Sequence, residues 1–171
     1  MEDLESTLIG TPQRKQAEAV YDTVCRALEG MGMKILKDRN EDGSLVAVSR
    51  VISDEFKLTL ILMVRHQIDT ITLIAGLPLT VPLKLRMWMA AAVCTVNGAI
   101  FEGNFNYDME AGSVLYRLTE NYLDTQIGEK QIRSMVTKAV RTIDIYGIKM
   151  RRFCEEIVTL EEFIEDVKRK K

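Results

Sequence analysis

The chain has 171 residues, 47% of them hydrophobic and 28% charged, which is the size and make-up of one globular domain with material for a substantial core. Its 23 basic residues against 25 acidic ones leave a formal charge of −2, so no global field gathers phosphate or anionic lipid, and neither nucleic acid nor membrane is an expected partner. Three widely spaced cysteines, Cys25, Cys94 and Cys154, have apolar neighbours and fit reduced, buried thiols of a cytoplasmic protein better than a disulfide framework.

The start, MEDLESTLIG, carries acids where a secretory signal carries Lys or Arg, and no apolar core of a signal follows. Thr11-Pro12 has the form of an N-cap with proline in the first turn, and Ala17, Val20, Tyr21, Val24 and Leu28 recur at three- and four-residue steps up to Gly30 and Gly32. This predicts an amphipathic helix. A short edge strand is expected over Met33 to Lys37, then the turn Asn40-Glu41-Asp42-Gly43 and a valine-rich strand from Leu45 to Ile52, ended by Ser53-Asp54-Glu55.

Phe56, Leu58, Leu60, Leu62 and Val64 share one parity, and beyond a turn at His66-Gln67 so do Ile71, Leu73, Ala75 and Leu77, which predicts a hairpin with one buried face. Pro78 is expected to stop the sheet and Thr80-Val81-Pro82 to start a helix. Leu85, Trp88, Met89, Ala92, Val93 and Val96 give that helix a broad apolar surface, with Trp88 read as core, up to the exit turn Asn97-Gly98. The uncharged run Met87 to Phe101 is shorter than the roughly 18 apolar residues of a membrane span, so it reads as a buried helix and its exit.

From Asn97 to Arg117, Phe101, Phe105, Tyr107 and Met109 occupy one parity and Glu102, Asn104, Asn106 and Asp108 the other. With the turn Glu110-Ala111-Gly112-Ser113 and a second alternation at Val114, Tyr116 and Leu118, this is an antiparallel hairpin. Ile132, Met135, Val136, Ala139, Val140, Ile143, Tyr146 and Met150 then mark the clearest helical stripe of the chain. Thr159-Leu160-Glu161-Glu162 has capping-box spacing and opens a short charged helix ending in Lys168 to Lys171. The organisation expected is one α+β domain over residues 1–152 and a charged helical extension over 153–171.

Templates for chemistry find no footing. The only histidine, His66, falls at a hairpin turn, where a solvent-exposed side chain is expected, and no CxxC, HxxxH or HExxH spacing is present. Adjacent acids such as Glu155-Glu156 and Glu161-Glu162 point about 100° apart on a helix and do not share a proton. Neither GxxxxGK[ST] nor GxGxxG occurs. No catalytic, cofactor-binding or metal-ligating residue is assigned, and no cofactor is expected.

One feature points to an interaction. If Leu58, Leu60 and Leu62 face the helices, Ile61, Met63 and Ile74 fall on the outer face of the sheet, making a patch of the kind that marks a protein contact. Two readings stand: residues 153–171 fold over the patch with Ile157, Leu160, Phe163 and Ile164 as cover, or Ile61, Met63 and Ile74 meet a protein client or a second copy. A different class of reading is a small-ligand receptor or enzyme with a pocket between the central helix and the sheet near Trp88.

The element order, the junction Leu77-Pro78-Leu79-Thr80-Val81-Pro82, and the residues Asn97, Gly103, Phe105, Asp108, Gly112, Val114, Tyr116 and Arg117 resemble the YbjN family, named as bacterial sensory-transduction regulators. The resemblance covers about residues 13–152. It implies an α+β fold similar to that of type III secretion chaperones, with a curved antiparallel sheet packed against helices and subunits that often pair. The family supplies no catalytic or binding residues to place on this chain. The resulting expectation is a cytoplasmic, non-enzymatic protein-interaction module, a regulator or chaperone-like binder, and a possible homodimer.

Overall fold

The structure, a computed structural model, describes residues 12–169. The acidic start, the Thr11 cap and the last two lysines lie outside the described residues. Helix α1 (Pro12–Glu29) buries Ala17, Val20, Val24, Ala27 and Leu28, the three- and four-residue stripe that its sequence sets on one side. It ends where Gly32 takes φ +75° and the Gly32 and Met33 amides donate back to Glu29 and Leu28.

Strands β1 (Ile35–Arg39), β2 (Leu45–Ile52), β3 (Lys57–Arg65) and β4 (Thr70–Thr80) form an antiparallel meander, and β5 (Asn104–Asp108) and β6 (Ser113–Asn121) complete a six-stranded sheet in the order β1-β2-β3-β4-β6-β5. Leu58, Leu60, Leu62 and Val64 of β3 and Ile71, Leu73, Ala75 and Leu77 of β4 are all buried on one face. The expected parity is therefore correct. Each large aliphatic so buried contributes about 1.5–3 kcal/mol, which makes this face the main source of cohesion.

Pro78 does not stop the sheet. Strand β4 continues to Thr80, and its pairing with β6 shifts register between Gly76, opposite Leu115, and Thr80, opposite Ser113. Three β4 residues thus oppose Val114 alone, and this bulge accommodates a proline that has no N–H for the ladder. A single 3-10 turn at Leu83–Leu85 then leads into α2 (Arg86–Asn97).

The second hairpin is shorter than its alternation suggests. Phe101 is fully exposed and Met109 lies in the turn, so only Phe105 and Tyr107 of the expected inner set are in β5. Gly103 explains the late start: it takes φ +71°, and a Cβ there would lie 2.7 Å from the Arg117 carbonyl oxygen and inside the Tyr116 hydroxyl. Tyr116 donates to the Glu102 carbonyl at 2.8 Å, and its ring meets Phe105 edge-on at 5.2 Å.

Helix α3 (Glu129–Cys154) lies along the sheet, burying Ile132, Met135, Val136, Ala139, Ile143 and Met150. It runs through Arg152 to Cys154, and Phe153 belongs to the core. Helix α4 (Leu160–Lys168) opens on the expected capping box: the Glu162 amide donates to Thr159 Oγ1 at 3.2 Å and the Thr159 amide to Glu162 Oε2 at 2.8 Å. Phe163 packs on Phe153 with ring centres 5.9 Å apart, and the Lys149 ammonium, buried, pairs with the Asp166 carboxylate. Together these clamp α4 onto α2 and α3.

Candidate protein-contact surface

Helix α1 packs on β1, β2 and β3, α3 on β4 and β6, and α2 on β5, all against the buried face of the sheet, while α4 touches α2 and α3. Among the described residues, no element covers the opposite parity. The described part of the expected cover, residues 153–169, does not lie on it: Phe163 and Val167 enter the helical core instead.

Strand register assembles that open face row by row. Leu36 lies opposite Val48, Val48 opposite Ile61, Ile61 opposite Ile74, and Ile74 opposite Arg117. A neighbouring row runs Asp38, Val46, Met63, Thr72 and Thr119, of which Val46 and Thr72 are buried. Ile61, Met63 and Ile74 are therefore adjacent on the open face, each half-buried among its neighbours. Leu36 is 68% exposed at one end and Ile52, opposite Lys57, is 78% exposed at a corner. The Met63 sulfur takes a contact from Arg65 Nε at 3.1 Å, and Thr72 and Thr119 share a hydroxyl hydrogen bond of 3.2 Å.

The charges of this face are unbalanced. Arg50, Lys57, Arg65 and Arg117 project from it by register, and none of them makes an ion pair among the described residues. Its acids, Asp38 and Asp108, stand on the outer strands β1 and β5 and are engaged by their own backbone. Asp38 accepts from the Arg39 amide at 2.8 Å, and Asp108 accepts from the Glu110 and Ala111 amides at 2.9 Å each. A chain of net charge −2 thus turns a cationic, partly apolar face outward.

A second apolar surface corrects the reading of Trp88 as core. Met89, Ala92, Val93 and Val96 point α2 inward, and Trp88, one residue and about 100° from Met89, is 56% exposed. Met87 is 71% and Leu83 79% exposed, and Cys94, expected to be buried, is exposed as well. The hollow beside Trp88 is not between helix and sheet. It is a cleft of about 450 Å³ between the start of α2 and the α3–α4 corner, walled by Leu85, Phe153, Ile157 and Leu160. The signal for this surface was in the chain: no charged residue occurs from Met87 to Phe101, so α2 lacks a charged outer face beyond Arg86.

Among the described residues no three His, Cys, Asp or Glu side chains come together as a metal-holding group, and no helix is long and apolar enough to cross a membrane. His66 is half-buried beside Gly43. Burial pushes the Cys25 thiol up and that of Cys154 up to about 11, so both thiols are protonated near neutral pH.

No family model matches the chain, and no curated protein matches it significantly. Among solved structures, YbjN from E. coli, named as a candidate transcription regulator, is similar at a TM-score of 0.53 and 14% identity, over 74% of this chain and 87% of that one. An uncharacterized protein from Methanothermobacter thermautotrophicus matches at 0.53 with 9% identity, over 81% of this chain and 98% of the other. At such identities the likeness is one of architecture: the chain has a YbjN-like α+β fold.

Proposed function

We propose that the chain is a non-enzymatic protein-interaction module of the cytoplasm, a regulator or chaperone-like binder, whose contact surface is the open sheet face around Ile61, Met63 and Ile74. The observation that carries this reading is the one-sided packing of the sheet among the described residues, with α1, α2 and α3 on the Leu60 face and a cross-strand apolar row on the other. Partly exposed apolar side chains gathered in one place gain about 25 cal/mol for each Å² that a partner removes from water. The test is affinity capture from native lysate, with the captured protein then purified and titrated against the I61E/M63E variant. Loss of binding with an unchanged circular dichroism spectrum supports the reading; unchanged binding removes it.

Exposure of Met87 and Trp88 on a helix that carries no charge beyond Arg86 favours self-pairing as a second reading. Two copies related by a two-fold axis bury this surface against itself without opposing like charges. Sedimentation equilibrium of M87E/W88E should then show a monomer where the parent chain is a dimer. A monomeric parent chain removes this reading.

A further inference from the structure

We infer that the partner of the open sheet face is an acidic polypeptide segment in which carboxylates are interspersed with apolar side chains, an inference that rests on the reading of that face as the contact surface. Each cation of the face sits next to an apolar residue. Arg117 is opposite Ile74, Lys57 is opposite Ile52, Arg50 follows Val48 by one strand repeat, and Arg65 follows Met63 and touches its sulfur. A ligand lying across these rows meets an apolar strip bordered by positive charge on both sides. The matching chemistry is apolar side chains in the middle and carboxylates at the edges.

Two other occupants fit less well. A second copy stacked on this face sets Arg50, Lys57, Arg65 and Arg117 against their own equivalents, and the two acids of the face already accept hydrogen bonds from their own backbone. A nucleic acid finds no aromatic residue at any outward strand position, since Phe105, Tyr107 and Tyr116 all lie on the inner parity. It also finds cations separated by apolar side chains instead of a continuous track.

The test uses the full chain and a labelled peptide of about ten residues, enough to cross the strand rows at about 4.8 Å per strand, with Glu alternating with Leu and Val. Its comparators are the same peptide with Lys for Glu and an oligothymidine of similar length, all read by fluorescence anisotropy. The Glu peptide should bind at least about tenfold tighter than either comparator and weaken as salt screens the contact. The R50E/R117E variant should reverse the preference in favour of the Lys peptide. Circular dichroism and thermal melting check each variant, and R50Q/R117Q, which should lose the preference, replaces the reversal if the latter fails to fold.

Equal binding of the Glu and Lys peptides, with both lost in I61E/M63E, would overturn the acidic partner while leaving the sheet-face reading in place. Binding of any probe that I61E/M63E does not weaken overturns both. Tighter binding of the oligothymidine assigns the face to nucleic acid, and a dimer that I61E/M63E dissociates assigns it to a second copy; either result ends the inference.

Discussion

The side-chain amide of Asn97 takes the place of a missing strand beside Phe105. Asn97 Nδ2 donates to the Phe105 carbonyl at 2.9 Å, and Asn97 Oδ1 accepts from the Phe105 amide at 2.8 Å. Since β5 is an edge strand and Phe105 is buried, these two backbone groups have no other strand to meet. Asn97→Ala should cost about 2 kcal/mol by leaving a donor and an acceptor unpaired, read as a lower denaturant midpoint at unchanged slope. A loss of under about 0.5 kcal/mol would show that water replaces the amide without penalty.

Gly103→Ala should be among the most damaging single-methyl changes in the chain. The left-handed backbone and the Arg117 carbonyl both oppose a Cβ, and backbone does not move aside as a flexible side chain does. A loss of about 3 kcal/mol is expected in thermal or urea unfolding. Tyr116→Phe, which removes the hydroxyl that donates to the Glu102 carbonyl and meets the Thr142 side chain, should cost about 1 kcal/mol.

The clamp on α4 should respond asymmetrically to loss of its two partners. Asp166→Ala strands the buried Lys149 ammonium and should cost about 2–3 kcal/mol, with α4 becoming sensitive to limited proteolysis. Lys149→Met instead leaves a carboxylate that is half-exposed, and should cost less than about 1 kcal/mol. Equal losses would show that the ion pair is not what holds the helix.

Alkaline pH should destabilise the fold through its buried and half-buried tyrosines, Tyr21 and Tyr122 foremost. Burial pushes Tyr21 and Tyr122 up to about 12 from the usual 10, while their hydroxyls donate to the carbonyls of Val46 and Arg65 at 2.8 and 3.0 Å. The folded chain thus holds these protons more tightly than the unfolded one. Their contribution is complete below about pH 10 and is lost as the pH rises through about 12. Phenolate absorbance at equilibrium should show Tyr21 and Tyr122 titrating late together with Tyr107 and Tyr116, which burial also pushes up, and Tyr21→Phe with Tyr122→Phe should flatten the decline in denaturant midpoint.

Thiol reactivity should separate the cysteines. Cys94 is exposed on α2, whereas Cys25 is buried and Cys154 is held protonated by its surroundings. A disulfide reagent near neutral pH should consume one thiol rapidly in the native chain and all three in denaturant. Fast reaction of Cys154 would show that the α3–α4 corner opens.

The legible part of this chain is the part governed by period. Alternation over Leu58 to Val64 and Ile71 to Leu77 set the buried face of the sheet, because a slip of one residue would place those aliphatics in water. The ends of β2 followed from its valines and the polar segments on either side. The errors came where one residue acts against its local pattern. Pro78 is absorbed by a bulge, Gly103 cuts the alternation that begins at Phe101, and α2, uncharged beyond Arg86, has no charged face to show which way Trp88 turns. Parity alone put Ile61 and Ile74 on one face, but placing Arg117 beside them needed the pairing of β4 with β6, which sets Ile74 opposite a residue far along the chain.

The proline in β4 also bears on how the molecule behaves at high concentration. Pairing of β3 with β4 runs from Arg65 opposite Thr70 to Leu60 opposite Ala75, so the end of β4 extends past that ladder. A ring nitrogen at Pro78 cannot donate there to a stray strand, and the register break beside it spoils the regular spacing that such a strand would need. Replacing the residue with valine would therefore smooth this stretch into a template for fibrous assembly, a vulnerability that the native chain avoids by tolerating one irregular turn of its backbone.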